Sequence, residues 1–228
     1  MFIQNKLIEN YISAPRFERY LKAADYNKTR AAKLYIANIE LAQAAHPLIT
    51  QFEVVLRNSL NMQLSNYFDN PDWIIHEKDG FMKNPSLRES DFFLRRTIEK
   101  TELLLRRKRI SITCGKIVSE QSLGFWVALF LSHHYRLIDG QPIKIFAYKP
   151  VSENRSRLYS KLSAIKTLRN RVNHCDPLCF KKNKIDCSLI LSIRLDMLRL
   201  IEWIEPDLLP FFESIDKLTK KVDYLMSI

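Results

Sequence analysis

Hydrophobic residues recur at helical spacing along most of the chain, and this periodicity predicts a series of α-helices. Residues 15 to 24 predict a short helix that has Pro15 near its first turn. From residue 28 to about 68 the apolar residues return every three or four positions, which predicts a much longer helix. Pro47 lies inside this pattern, so we expect the helix to kink or to divide there. The apolar positions of the long pattern are Ala32, Leu34, Tyr35, Ile39, Ala42, Leu48, Phe52, Val55, Leu56, Leu60 and Leu64.

The middle of the chain alternates between predicted loops and predicted helices. Residues 69 to 86 contain prolines, a glycine and several Asp and Asn residues, which predicts an ordered loop. A second long helix is expected at residues 87 to 109, followed by a connection at residues 114 to 121. Residues 122 to 131 are nearly all apolar and predict a buried helix that is too short to span a bilayer. The second long helix has Leu94, Ile98 and Leu105 on its apolar side.

Three more helices are expected in the last third of the chain. Residues 140 to 152 predict a second loop, and the next helix begins near Glu153, with Ser152 as its N-cap, and ends near His174. Two further helices are expected at residues 185 to 204 and 207 to 226. The helix that ends near His174 carries an apolar stripe of Leu158, Leu162, Ile165, Leu168 and Val172. These patterns predict a single all-α domain over residues 1–228.

Composition and charge narrow the class of protein. Apolar residues make up 46% of the 228, which is typical of a globular chain with a substantial core. The net charge of +11 favours a polyanionic partner, RNA or DNA rather than a membrane, although a basic but solvated surface is the alternative. We expect neither a secretory leader nor a membrane span, because no apolar run of the sequence is long enough. The four unevenly spaced cysteines are expected to be free thiols in a reducing cytoplasm.

The residues best suited to chemistry are Arg169-Asn170-Arg171-Val172-Asn173-His174, which close the helix before Cys175-Asp176-Pro177. A guanidinium, a carboxamide and an imidazole together can bind a phosphodiester and move its protons. At about 100° per residue, Asn170 and His174 share one helix face, whereas Arg169 and His174 point roughly 140° apart. Arg169 therefore either packs as a structural arginine, paired with a carboxylate such as Glu53, or reaches around the helix end to a shared site.

Two other interpretations of the same region stay open. A single histidine at a helix end is more often a capping group than a catalytic one. His174, Cys175, Cys179 and Cys187 raise the alternative of zinc, but no second closely spaced pair completes a site, so we expect no metal and no other cofactor. His133 and His134 are expected to end the apolar helix, either as capping groups or as residues that line the same cleft.

The sequence of residues 168–177, LRNRVNHCDP, resembles the Leu-Arg-Asn-Arg-φ-x-His-x-Glu-Pro signature of the Abi-like (abortive infection) proteins, which belong to the HEPN group. Residues 52–58 and 123–127 agree with the same family, and the resemblance extends from about residue 17 to 204. It implies an all-α HEPN-like helical bundle with additional helices and a metal-independent ribonuclease of anti-phage defence, often a toxin. It also implies a homodimer in which two Arg-x4-His motifs meet in one cleft, with RNA as the substrate. A neutralising antitoxin is a candidate further partner.

The resemblance also assigns roles to individual residues. Arg169 and His174 carry over as catalytic, with Asn170 as the supporting polar residue. The residues expected to bind RNA or to support the site are Arg171, Asn173, Asp176, Arg57 as a second arginine, and Glu53 as its orienting partner. The chain departs from the family at Cys175, where a second histidine is common, and at Asp176, where a glutamate is common. An inactive relative, a helical module that binds RNA or protein without turnover, is therefore the alternative function.

Overall fold

The structure, a computed structural model, describes residues 7–182 and 184–228, except for the side chain of Glu9. Helices make up 74% and strands 2% of it, which confirms the predicted all-α class. Within these residues every helix is too short or too polar to cross a membrane. The α-helices, in chain order, are α1 (Ala14–Ala23), α2 (Lys28–Tyr67), α3 (Trp73–His76), α4 (Phe93–Arg107), α5 (Cys114–Glu120), α6 (Leu123–Ala128), α7 (Ser132–Leu137), α8 (Arg155–Asn173), α9 (Ser188–Ile204), α10 (Leu209–Ile215) and α11 (Leu218–Met226).

Shorter elements lie between these helices. A π-helical turn spans Ile8–Ile12, and two short strands, β1 (Phe180–Lys181) and β2 (Lys184–Ile185), pair as an antiparallel hairpin. The 3₁₀ helices are Phe81–Lys83, Pro85–Ser90, Gln141–Ile145 and Pro206–Leu208. The chain divides into two compact units, and the single domain expected over residues 1–228 stays a prediction.

The first unit comprises residues 7–50, 167–198 and 210–228. Aromatic side chains join α1, α2 and β1 in its core. The Tyr20 ring lies 5.3 Å from that of Tyr35 and 5.1 Å from that of Phe180, both edge-on. Aromatic pairs in this geometry add to the stabilisation that burial alone provides. The cluster therefore fixes the hairpin against α1.

The second unit comprises residues 51–166 and 199–209. The rings of Trp73 and Phe81 both stack with that of Phe68, at 6.1 and 6.0 Å between centroids. The segment at 69–86 is thus ordered, as predicted, but it contains α3 and a 3₁₀ helix as well as loop. Lys78 forms a largely buried ion pair with Glu102 of α4, with an N–O distance of 2.8 Å.

Helix α2 runs through Pro47 without dividing, so of the two expected outcomes the division is wrong and the kink stays a prediction. Pro47 is exposed while its neighbours Leu48 and Ile49 are buried, and tertiary packing of those neighbours outweighs the missing backbone hydrogen bond. The predicted apolar face is largely confirmed, because all but Tyr35, Ile39, Ala42 and Val55 of its members are buried. Ile39 is 39% exposed and does not belong to that face.

Several predicted boundaries are wrong for local reasons. Helix α4 begins at Phe93 rather than near residue 87, because Asp91 and Phe92 have φ angles of 51° and 48°, which no α-helix tolerates. The predicted connection at residues 114 to 121 is helix α5, whose first turn is capped by the Thr113 hydroxyl accepting from the Lys116 N–H at 3.3 Å.

Four further boundaries differ from the predicted ones. His133 and His134 lie in α7, a separate helix, and do not end the apolar one. The N-cap of α8 is Asn154, whose Oδ1 accepts from the Arg157 N–H at 3.1 Å, and not Ser152. The predicted helix at 207 to 226 divides into α10 and α11. The helix predicted to begin at residue 185 begins at Ser188 instead, because residue 185 belongs to the hairpin.

Candidate functional site

The candidate site is the C-terminal end of α8, where the backbone closes in a Schellman motif. The Asp176 N–H donates to the Arg171 carbonyl at 2.9 Å, and the Cys175 N–H donates to the Val172 carbonyl at 3.1 Å. Cys175 occupies the left-handed position of this motif, with a φ of 53°, where glycine is usual. The helix therefore ends at a defined place, and His174 is the last residue before the chain turns.

Buried polar contacts hold the segment that follows the helix. Asn38 of α2 is 2% exposed; its Oδ1 accepts from the Leu178 N–H at 2.6 Å, and its Nδ2 donates to the Asp176 carbonyl at 3.5 Å. The Arg171 guanidinium donates to the Pro177 carbonyl. These bonds satisfy backbone groups that the turn would otherwise leave unpaired, so they stabilise the backbone conformation of the segment.

Arg16 of α1 also holds this helix end. Its Nη1 donates to the Cys175 carbonyl at 3.2 Å, and its Nη2 approaches the His174 carbonyl at 3.5 Å. A guanidinium suits this place because the last carbonyls of a helix lack partners and carry the negative end of the helix dipole. Sequence analysis missed Arg16 and Asn38, since each lies more than 130 residues from its partners and belongs to no local motif.

The polar side chains at this end differ in exposure. Asn170, Asn173 and His174 are exposed, and the His174 N–H bonds to the Asn170 carbonyl at 3.0 Å, which places the two side chains on one helix face. Arg169 is half-buried and takes part in an interaction within the protein. The apolar stripe from Leu158 to Val172 is buried at all five positions, as predicted.

Glu53 and Arg57 belong to the second unit, one helical turn apart on α2. Both are half-buried. The Arg57 guanidinium donates to Asn58 Oδ1 at 3.4 Å and to the Ser119 carbonyl at 3.5 Å, so these groups orient it. Glu53 also takes part in an interaction within the protein.

Two of the cysteines outside the helix end, Cys179 and Cys187, are buried. Burial raises the pKa of Cys179 to about 12 and that of Cys187 to about 11, so both thiols stay protonated at neutral pH. The four cysteines are unpaired. Within the described ranges, no three His, Cys, Asp or Glu side chains lie close enough together to hold a metal ion.

His134 is fully buried in the second unit, where its Nδ1 lies 2.9 Å from the Ala128 carbonyl. A carbonyl can only accept, so Nδ1 carries the proton of the neutral ring. In the part of the chain that the structure describes, Nε2 of His134 has no hydrogen-bond partner. Burial lowers the pKa of this histidine to about 4, which makes it a neutral core residue and not a capping group.

No protein-family model matches the chain, and comparisons with curated proteins and with solved structures found no match either.

Proposed function

We propose that the protein is a HEPN-type, metal-independent endoribonuclease of a prokaryotic abortive-infection or toxin system and acts in the cytoplasm. The observation that carries this proposal is the end of α8, where an exposed imidazole stands beside an exposed carboxamide on a backbone that Arg16, Asn38 and Arg171 hold in place. A preorganised, solvent-facing histidine is what proton transfer to and from RNA requires. The basic net charge supports a polyanionic substrate.

The proposed reaction uses the 2′-OH of the RNA as its nucleophile. The 2′-oxygen attacks the adjacent phosphorus while the His174 imidazole takes its proton, and the bond from phosphorus to the 5′-oxygen breaks as the protonated His174 donates a proton to that oxygen. Arg169 stabilises the charge that develops on the phosphoryl oxygens, and Asn170 orients the phosphate. The products are a 2′,3′-cyclic phosphate and a 5′-hydroxyl end.

A homodimer completes the proposed site. Arg169 is half-buried whereas His174 is exposed, and on a straight helix their side chains point roughly 140° apart. A second copy brings its own His174 and Asn170 to the same cleft. Arg169 and His174 of one chain then need not point toward the same place. Light scattering at micromolar concentration should therefore give the mass of a dimer, and a strict monomer would contradict the paired site.

RNA cleavage without metal tests the reaction itself. Purified protein is incubated with total RNA in EDTA, and the ends of the products are mapped. We expect cleavage to proceed and to leave 2′,3′-cyclic phosphates. Cleavage that occurs only after Mg²⁺ or Mn²⁺ is added, or 3′-hydroxyl ends, would contradict this mechanism.

A non-catalytic module that binds RNA or protein is the second candidate. The half-burial of Arg169 and its interaction within the protein favour it, since both suit a structural arginine. The two candidates differ in what Arg169→Ala does to a cell that expresses the protein. Loss of toxicity with little change in melting temperature supports the ribonuclease, and a melting temperature lower by several degrees with toxicity retained supports the module.

A further inference from the structure

The hairpin that follows the helix end carries three exposed lysines, Lys181, Lys182 and Lys184. The strand register places Lys181 directly opposite Lys184. Residues opposite each other on antiparallel strands have Cβ atoms about 4.5–5.5 Å apart, and like charges at such positions repel. The hairpin thus concentrates positive charge in an arrangement that does not stabilise the fold.

In the described chain the Asp186 carboxylate interacts electrostatically with Lys181, so the charge of the hairpin has partial internal compensation. None of the three lysines forms a salt bridge there. The nearby carboxylate of Asp186 accepts instead from the Ser188 N–H at 2.8 Å, where it caps the start of α9. A cluster of like charges with only partial internal compensation opposes stability, and such an arrangement is a feature of binding sites.

Contacts from α1 and α2 hold the backbone beside these lysines. Arg19 of α1 donates from Nη2 to the Lys182 carbonyl at 2.7 Å, and its guanidinium lies 5.0 Å from the centre of the Phe180 ring. Phe180 is itself buried against Tyr20. The bond from the Leu178 N–H to Asn38 fixes the chain just before β1.

The hairpin does not have the apolar face that binding to an anionic membrane would require. Its apolar side chains, Phe180 and Ile185, are buried and half-buried, so it offers no apolar face that could enter a membrane. Three closely spaced ammonium groups match the dense, regular charge of a nucleic-acid backbone. The hairpin also begins six residues after His174 in the same compact unit.

We propose that Lys181, Lys182 and Lys184 form a backbone-binding element that holds successive phosphates of single-stranded RNA flanking the cleavage position. This inference rests on the proposed function for the identity of the polyanion. The lysines contact phosphates and no base edges, so they contribute affinity and salt dependence but no sequence preference. Bound phosphates also relieve the repulsion between Lys181 and Lys184.

The salt dependence of RNA binding tests this assignment. Every protein in the experiment carries His174→Ala, so that the RNA stays intact, and binding of a labelled single-stranded 20-nucleotide RNA is measured between about 50 and 200 mM NaCl. The test variant adds Lys181→Gln, Lys182→Gln and Lys184→Gln. The matched control adds Lys83→Gln, Lys116→Gln and Lys144→Gln, three exposed lysines of the second unit, and so has the same net charge.

We expect the test variant to lose about two units of slope in log K against log salt, since each single-strand phosphate contact contributes about 0.7. The control should keep the parent slope. The test variant should also melt no lower than its parent, because the substitutions remove like-charge repulsion, which separates lost binding from lost folding. Equal losses of slope in test and control, or an unchanged slope in the test variant, would overturn the proposal. The proposal would also be overturned if a polyglutamate peptide bound more tightly than RNA and this binding depended on the hairpin lysines.

The outcome is separable from that of the ribonuclease assay. Hairpin-dependent RNA binding by a protein that fails to cleave RNA in EDTA would refute the proposed activity and leave the hairpin assignment standing. Cleavage that the three hairpin substitutions leave unchanged in rate and in salt dependence would refute the hairpin assignment alone.

Discussion

The Nη1 atom of Arg16 lies 3.2 Å from the carbonyl oxygen of Cys175, although the two residues are 159 positions apart in the chain. This contact joins α1 to the end of α8 and closes off a carbonyl that the helix itself cannot pair. It also fixes the backbone beside His174. The candidate site is therefore built by tertiary contacts as much as by the motif in which it was first recognised.

Replacing Arg16 should loosen the helix end. Arg16→Gln removes a charged donor from the His174 and Cys175 carbonyls, and we expect the free energy of unfolding to fall by about 1 kcal/mol. Urea denaturation measures this. Arg106→Gln, which removes an exposed arginine of α4, should change stability by less than about 0.5 kcal/mol. Equal effects of the two substitutions would show that these Arg16 contacts contribute nothing.

Replacing Cys175 with glycine should stabilise the protein. Its φ of 53° is a left-handed conformation that strains any residue with a Cβ, by about 1–2 kcal/mol, and its side chain is exposed. Glycine relieves that strain but has more freedom to lose on folding, so Cys175→Gly should stabilise the protein by about 0.5–1 kcal/mol. Cys175→Val should destabilise it by at least as much. Denaturation curves in which both variants fall below the wild type would argue against the Schellman closure.

The buried amide of Asn38 should be among the most sensitive polar groups in the first unit. Asn38→Ala leaves the buried Leu178 N–H unpaired, which we expect to cost about 1–3 kcal/mol. Gln43, exposed on the same helix, provides the control, and Gln43→Ala should be close to neutral. Thermal melts of the two variants that coincide would contradict the bridging role of Asn38.

His134 should make stability depend on pH below neutrality. Its pKa is lowered by burial to about 4, whereas the unfolded chain binds the proton near 6.5, so protonation favours unfolding between these values. The contribution of the neutral ring is complete above about pH 6.5 and falls by about 3 kcal/mol as the pH drops to 4.

An asparagine at position 134 isolates this effect. His134→Asn keeps a donor for the Ala128 carbonyl and removes the titrating group, so the variant should lose less stability than the wild type between pH 6.5 and 4. His76→Asn, at an exposed position, should follow the wild-type pH profile. The decisive quantity is the slope of unfolding free energy against pH, and parallel slopes for all three proteins would exclude His134 as its source.

Local periodicity was enough to predict the helical class and the buried stripe of α8. Successive members of the stripe lie three or four residues apart, which is about one turn, and this spacing decides which side of the helix is buried; they are Leu158, Leu162, Ile165, Leu168 and Val172. The exposure of Asn170 and His174 follows from the same geometry, because they stand on the other side of that helix.

What periodicity could not show are contacts between distant segments and breaks made by unusual backbone angles. The bonds from Arg16 and Asn38 to the end of α8 depend on how α1 and α2 pack, which no local pattern encodes. Phe92 adopts a positive φ that its residue type disfavours, so the start of α4 was placed too early. Strands of two residues, such as β1 and β2, are too short to show an alternating pattern.

The most direct test of the central claim compares RNA cleavage by the wild type, His174→Ala and His76→Ala in EDTA. His76 is an exposed histidine to which the proposal gives no role, so its replacement removes the same chemical group and leaves the proposed catalytic residues unchanged. General acid–base catalysis by one side chain contributes about 10²–10⁴-fold, and we expect His174→Ala to lose at least 100-fold in rate while His76→Ala matches the wild type. Cleavage by His174→Ala at the wild-type rate would contradict the account.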